Sequence, residues 1–236
     1  MHRHFEEKFA ELKGRIVHMG TSAEWMIDEA IRSLIERKAD RHDAVFAREE
    51  EVNELHIEID ERVIALLALE HPVATDLRFV VMCSKIASDL ERIGDQAVNI
   101  CQNAAVLLQH PPLKPLIDMP MMAGIAGKML KQSLDAFVRV DAALAQEVLN
   151  TDDQVDAFKD QIFRELLTYM MADPATITRA LSLILISRNL ERVGDHATNI
   201  AEDVIYLAQG RDVRHHHEEK KRDTRSRHAE DHPDRR

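Results

Sequence analysis

The chain has 236 residues and a formal net charge of −11, and its residues are 45% hydrophobic but only 4% aromatic. That length suits one or two compact domains, whose interior has to be built from aliphatic side chains and Met. The acidic charge argues against nucleic acid and anionic lipid as partners, and it is compatible with cations and basic protein surfaces.

The N-terminus lacks the apolar run of a signal peptide, and no stretch approaches the roughly 20 apolar residues that span a bilayer. Cys83 and Cys101 form no C-x-x-C pair, and no secretion signal supports a disulfide between them. These features predict a protein of the reducing cytoplasm that is not inserted in the membrane.

Apolar residues that recur at steps of three and four predict six long helices. In chain order we expect them over about residues 5–38, 44–70, 75–109, 121–145, 154–171 and 173–210. Thr75 or Asp76 is expected to cap the third helix, and Asp173, followed by Pro174, to cap the sixth. Gly210 is a natural end for the last helix.

The helix pattern of the first half repeats in the second, with Val52-Asn53 matching Val155-Asp156. This repetition predicts an all-α fold of six helices in two tandem three-helix bundles. The first bundle spans residues 5–110 and the second 121–210, joined by a Pro-rich linker over 111–120. Residues 211–236 contain five His and almost no large apolar side chain, so we expect a disordered tail whose role stays open.

One stretch of sequence occurs twice, one hundred residues apart. The stretch from Leu90 to Ile100 reads LERIGDQAVNI, and that from Leu190 to Ile200 reads LERVGDHATNI, with eight of the eleven positions identical. Such dense similarity at a fixed spacing indicates an internal duplication. The function of this stretch is therefore expected twice in the molecule.

On a helical projection each copy separates into two faces. An apolar seam that suits packing in a bundle is formed by Leu90, Ile93, Ala97, Ile100, Ala104 and Leu107, and in the second copy by Leu190, Val193, Ala197, Ile200, Val204 and Leu207. The opposite face carries a polar stripe of Glu91, Asp95 and Asn99, and of Glu191, Asp195 and Asn199. We expect this stripe to face solvent.

Two carboxylates one helical turn apart repel each other unless a positive charge lies nearby. Arg92 and Arg192 are the nearest candidates, and a bound cation is the alternative. Oxygen ligands suit hard cations, so the stripe predicts sites for a divalent metal ion, with Mg, Mn, Zn and Fe all considered. The ligands would be Glu91, Asp95, Glu191 and Asp195, with Asn99, Asn199, Glu202, Asp156 and Asp160 as further candidates. A solvated charged face is the competing interpretation.

Gly94 and Gly194 interrupt the same two helices at equivalent positions. A glycine inside a helix costs roughly 1 kcal/mol relative to alanine. Its presence in both copies predicts a close approach of another helix or a ligand, with inheritance from a duplicated ancestor as the alternative explanation.

Several enzyme classes are excluded by missing motifs. The chain has no E-x-x-H pair of a di-iron bundle, no Gly-rich phosphate loop, no G-x-S-x-G elbow and no H-E-x-x-H. A protein that is not an enzyme is therefore the leading hypothesis. A carboxylate-bridged metalloenzyme or a metal-storage protein remains the alternative.

The doubled Leu-Glu-Arg-Ile/Val-Gly-Asp motif closely resembles that of the PhoU family. Further segments resemble the family over roughly residues 5–215, namely Ala74-Thr75-Asp76-Leu77-Arg78 before the third helix, Leu167-Thr168-Tyr169-Met170-Met171, and Gly210-Arg211-Asp212-Val213-Arg214-His215. The resemblance implies two similar three-helix bundles, usually assembled as a homodimer. It also implies metal ions or clusters held by Glu91/Asp95 and Glu191/Asp195.

The function implied by the resemblance is regulation of phosphate homeostasis. Members of the family are thought to couple the phosphate ABC transporter to a membrane sensor histidine kinase, to hold the phosphate-starvation regulon off and to limit phosphate uptake. One position departs from the acidic pattern, because Asn53 stands where the second half has Asp156. The first half is therefore expected to bind metal less completely.

Overall fold

A computed structural model describes residues 2–213, with side chains from residue 6 onward. The helices are α1 (His2–Glu36), α2 (His42–Glu70), α3 (Thr75–Leu108), α4 (Asp118–Arg139), α5 (Ala142–Ala172) and α6 (Ile177–Gln209), and short 3-10 turns precede α2 and α6. Most of the tail predicted over 211–236 lies outside the described residues. None of the helices in the described range has an apolar stretch long enough to cross a membrane.

The six helices form two three-helix bundles, α1–α3 and α4–α6, which confirms the predicted fold class. The bundles also pack on each other, α3 against α6 and α1 against α4, so that one hydrophobic core runs through both. The predicted seams of α3 and α6 are buried along their whole length. Burial of these aliphatic residues supplies the main stabilisation of the fold.

The boundary between α4 and α5 differs from the prediction. Helices were expected over about 121–145 and 154–171, but α4 ends at Arg139 and α5 begins at Ala142. Val140 adopts a left-handed conformation (φ 53°), and the Asp141 carboxylate accepts hydrogen bonds from the backbone N–H groups of Ala143 and Leu144. A left-handed residue at a helix end is usually a glycine, but here it is an apolar valine. The apolar pattern therefore continues across the break and hides it in the sequence.

Two of the predicted helix starts also need correction. Ala74, with φ 48° and no side-chain cap, precedes α3, so neither Thr75 nor Asp76 caps it. Asp173 does act as a cap, but of the 3-10 turn Pro174–Thr176 that leads into α6. The end of α6 is as predicted, with Gly210 in the left-handed region and its N–H bonded to the Tyr206 carbonyl at 2.8 Å.

The contact between the bundles includes one very close approach of α1 and α4. A Cβ built on Gly20 of α1 would lie 2.6 Å from Cδ1 of Leu134, which is a core residue of α4. Phe79 of α3 also joins the two bundles, since its ring stacks on Phe9 of α1 and on Phe137 of α4. The absence of a side chain at residue 20 thus lets the two bundles share one interior.

Candidate metal centre

The two copies of the motif lie side by side, on the antiparallel helices α3 and α6. The carboxylate of Asp89 on α3 contacts Nδ1 of His196 at 2.8 Å and accepts from Nδ2 of Asn199 at 3.1 Å. One turn earlier on α3, Lys85 lies 3.8 Å from Asp203 of α6. The two copies therefore run antiparallel against each other, an arrangement that no spacing in the sequence predicts.

A crevice of about 630 Å³ opens between the two motif copies. Its lining consists of Arg92, Asp95, Gln96, Val98, Asn99, Arg192, Asp195, His196 and Asn199. Four of the predicted ligands, two from each copy, are thus brought to a single cavity. The sequence pattern alone predicts two separate sites, one for each copy.

The acidic stripe is less exposed than predicted. The side chains of Glu91 and Glu191 are only 21% and 24% exposed, whereas Asp195 and Asn199 are exposed. In the first copy Arg92 lies 3.4 Å from Glu91 and 3.1 Å from Asp95. An arginine therefore neutralises the first pair of carboxylates, which is one of the two outcomes that the sequence allowed.

In the second copy a lysine from another helix takes this role. Nζ of Lys159 on α5 lies 3.2 Å from Glu191, 3.3 Å from Asp156 and 3.8 Å from Asp160. Burial lowers the pKa of Lys159, but the hydrogen bond to Glu191 and the charges of Glu191 and Asp156 outweigh burial and raise it overall. Lys159 is therefore an ammonium ion at neutral pH, and it supplies a positive charge beside Glu191, one of the two carboxylates of the second copy.

The strongest cluster of cation ligands in residues 6–213 is an acidic trio on α5. Asp152, Asp153 and Asp156 each offer a carboxylate oxygen, and these oxygens all lie within 4.8 Å of one another. Only Asp156 was a sequence candidate. The missed signal is that Asp152 and Asp156 have the same i, i+4 spacing as Glu191 and Asp195.

The trio lies against the second motif. A Cβ built on Gly194 would be 3.8 Å from Oδ1 of Asp152 and 3.5 Å from Val155. A Cβ on Gly94 would meet Val52 at 3.5 Å. These are ordinary contact distances, so α2 and α5 do come close to the glycines, but packing alone leaves room for alanine at both positions.

The remaining candidates are placed less favourably. The side chain of Asp160 is 66% exposed and does not belong to the trio. Glu202 is half-buried on α6 and does not line the crevice. In the first bundle Asn53 donates to Glu49 at 2.6 Å, and no second cluster of three ligands occurs within the part of the chain that the structure describes.

The chemistry of the trio fits a hard cation. Three carboxylates with no His or Cys among them suit Mg²⁺ or Mn²⁺ better than Zn²⁺, which favours nitrogen and sulfur ligands.

Both cysteines are buried, and burial raises the pKa of Cys101 to about 12 and that of Cys83 further. Neither thiol is therefore available as a thiolate ligand.

Comparison with known proteins agrees with both the fold and the duplication. The sequence matches the PhoU domain twice, over residues 16–104 and 119–204. A phosphate-specific transport system accessory protein PhoU homolog of Pseudomonas putida is 39% identical over 212 residues, which cover 89% of this chain and 83% of the relative. One of Aquifex aeolicus is 37% identical, with 89% and 96% covered.

Two crystal structures have the same fold. PhoU from Pseudomonas aeruginosa superimposes with a TM-score of 0.85 at 36% identity, covering 88% of this chain and all of that one. The phosphate transport system regulatory protein PhoU from Streptococcus pneumoniae gives 0.82 at 26% identity, with 89% and 99% covered. The sequence matches the family in both repeats, it covers most of the length of these relatives, and it has the same fold. This chain therefore belongs to the PhoU family.

Proposed function

We propose that this protein is a cytoplasmic regulator of phosphate homeostasis that acts with a phosphate ABC transporter. The observation that carries the proposal is the match of both repeats to relatives named as accessory proteins of the phosphate-specific transport system. In this proposal the protein couples the transporter to a sensor histidine kinase. It holds the phosphate-starvation regulon off when phosphate is plentiful, and it limits uptake.

The protein works in this proposal as an adaptor and not as an enzyme. A divalent cation such as Mg²⁺ or Mn²⁺ at the acidic trio, with Glu191 nearby, would cross-link α5 to α6 and stiffen the second bundle. The net charge of −11 suits a basic docking surface on the transporter ATPase or the kinase. A homodimer is part of the proposal by resemblance to the family.

A metalloenzyme or a metal store is the alternative. It would use the same carboxylates, but the trio includes no His and no Cys, and a hydrolytic or redox centre usually needs such a ligand or a general base. The adaptor role therefore has more support.

The deciding experiment is deletion of the gene in its host, with a reporter under a phosphate-starvation promoter. We expect high reporter expression in phosphate-rich medium and its repression when the full chain is restored. Unchanged expression in the deletion strain would reject negative regulation. Co-purification of the transporter ATPase and the kinase with the tagged full chain, and measured phosphate uptake, test the two partners and the limit on uptake separately.

A further inference from the structure

Six large apolar side chains are exposed on the helix pair α5 and α6, and together they form what we call the apolar patch. They are Phe163, Leu167 and Met171 of α5, and Ile177, Leu181 and Leu185 of α6, each between 37% and 79% exposed. On both helices they recur every four residues, so each set forms a stripe along one side of its helix. Monomeric proteins rarely expose a contiguous apolar patch of more than a few hundred Å².

The two stripes lie side by side on one face of the second bundle. Ile177 precedes Asp195 by 18 residues, which is five full turns, so the α6 stripe projects in the same direction as that carboxylate. Phe163 follows Asp156 by seven residues, about two turns, so the α5 stripe lies on the side of Asp156. Lys159 joins Asp156 to the second motif across these two helices. The apolar patch is therefore continuous, and it adjoins the acidic trio.

The equivalent surface of the first bundle is interrupted by charges. By the spacing that relates the two repeats, Asp60 stands where the second bundle has Phe163, and Lys85 stands where it has Leu185. The duplicated fold therefore does not require an apolar patch at this place. The tail after Val213 contains no large apolar side chain that could cover it. These observations indicate an occupant from outside the chain.

The charges around the apolar patch favour a second molecule of the protein as that occupant. A membrane surface with anionic lipids is disfavoured because the protein is strongly acidic. A basic partner suits the acidic trio, but not the adjoining end of the patch, where Arg188 is exposed. Asp173 is exposed at the opposite end, before α6 begins. A patch with opposite charges at its two ends is complementary to itself when two molecules meet in antiparallel orientation.

We propose that two molecules of the protein associate face to face through the apolar patch. The two-fold axis passes between Leu167 and Leu181 and runs across the helices, so that α5 packs on α5 and α6 on α6 of the other molecule. Arg188 and Asp173 lie at similar distances, about 10 Å, on either side of Leu181 along the helix axis. Each arginine thus meets Asp173 of the other molecule. This inference deepens the proposed function, on which it rests, by giving its homodimer an interface.

Sedimentation equilibrium of the full chain tests the interface. We expect a reversible dimer, and Leu167→Glu should raise its dissociation constant by at least about tenfold, because a carboxylate would be buried among apolar side chains. Ile64→Glu is the matched control, since Ile64 has the equivalent position in the first bundle and is 65% exposed. It should dimerise like the unmodified protein. A monomeric unmodified chain, or equal dissociation constants for the two variants, would overturn the proposal.

A cysteine at the proposed axis tests the geometry. In Leu181→Cys the two new thiols face each other across the axis, so a short bis-maleimide reagent should link the two molecules covalently. Ile64→Cys should stay unlinked under the same conditions. Cys83 and Cys101 do not interfere, because both are buried. Equal cross-linking of the two variants would contradict the proposed arrangement.

The reporter experiment separates this interface from the regulatory role. Loss of the dimer in Leu167→Glu confirms the interface, whatever the reporter shows. Unchanged reporter expression in the deletion strain rejects negative regulation without affecting the measured dimer. A dimer that Leu167→Glu does not weaken overturns the interface and leaves the regulatory role in place.

Discussion

Nζ of Lys159 on α5 lies 3.2 Å from Oε1 of Glu191 on α6, between the acidic trio and the second motif. The ammonium group partly neutralises the carboxylates around it, so a divalent cation has to bind in the presence of an existing positive charge. Whether a divalent cation binds at the acidic trio therefore depends on the position of the Lys159 ammonium group.

Replacing Lys159 tests this competition. Lys159→Gln should bind Mn²⁺ more tightly than the unmodified protein, by roughly tenfold, because the like charge is removed and the carboxylates lose their internal partner. Titration calorimetry on metal-free protein measures the change. Lys131→Gln, at an exposed position of α4, serves as the control. Unchanged or weaker affinity in Lys159→Gln would show that the lysine does not compete with the metal.

The acidic trio leads to a second prediction. Asp152→Asn keeps the size of the buried side chain but removes one anionic ligand, so Mn²⁺ affinity should fall by about tenfold or more. Asp160→Asn, on the same helix but outside the trio, should change it by less than about threefold. Equal losses in the two variants would mean that the trio is not the binding site and that only the overall negative charge matters.

The close approach of α1 and α4 leads to a third prediction. Gly20→Ala should be less stable than Gly14→Ala by about 1 to 2 kcal/mol, because the new methyl group meets the Cδ atoms of Leu134, and that side chain has to move. Gly14→Ala is the control, since a Cβ there meets nothing within 4 Å, and it should raise stability by up to about 1 kcal/mol. Urea unfolding measures both. A Gly20→Ala protein as stable as Gly14→Ala would contradict the packing described for this contact.

A fourth prediction concerns acid stability at the corner between α1 and α2. His42 is buried, and Nε2 of its ring lies 2.9 Å from Oγ of Ser33. Burial lowers the pKa of His42, against the smaller opposing effects of Asp43 and Asp40. Below about pH 6.5, the ordinary pKa of His, the unfolded chain binds a proton that the folded protein resists, so stability falls as the pH drops toward the folded pKa.

The measurement is the difference in unfolding free energy between pH 7.5 and pH 5.5. His42→Gln should lose less stability over this range than the unmodified protein, because the group that titrates has been removed. His110→Gln, at an exposed position, should behave like the unmodified protein. An equal loss in all three proteins would show that His42 does not contribute to the acid sensitivity.

Features that depend on a single helix were predicted well from the sequence. The seam from Leu90 to Leu107 is buried as the 3.6-residue period requires, and Gly210 ends α6 because glycine tolerates a left-handed backbone. The break at Val140 was missed because its left-handed residue is a valine. Without a glycine at that position, the sequence gives no sign that the helix ends there.

The sequence by itself determined the duplicated motif, the six helices and the separation of each motif into an apolar seam and an acidic stripe, because these follow from local periodicity. Only the tertiary structure decided that α3 and α6 run antiparallel against each other, and that Lys159 lies beside Glu191. Those contacts join residues 32 to 110 positions apart, and they arise from the packing of whole helix surfaces. No spacing within a single helix encodes such a contact, so the crevice between the two motif copies became visible only in the folded molecule.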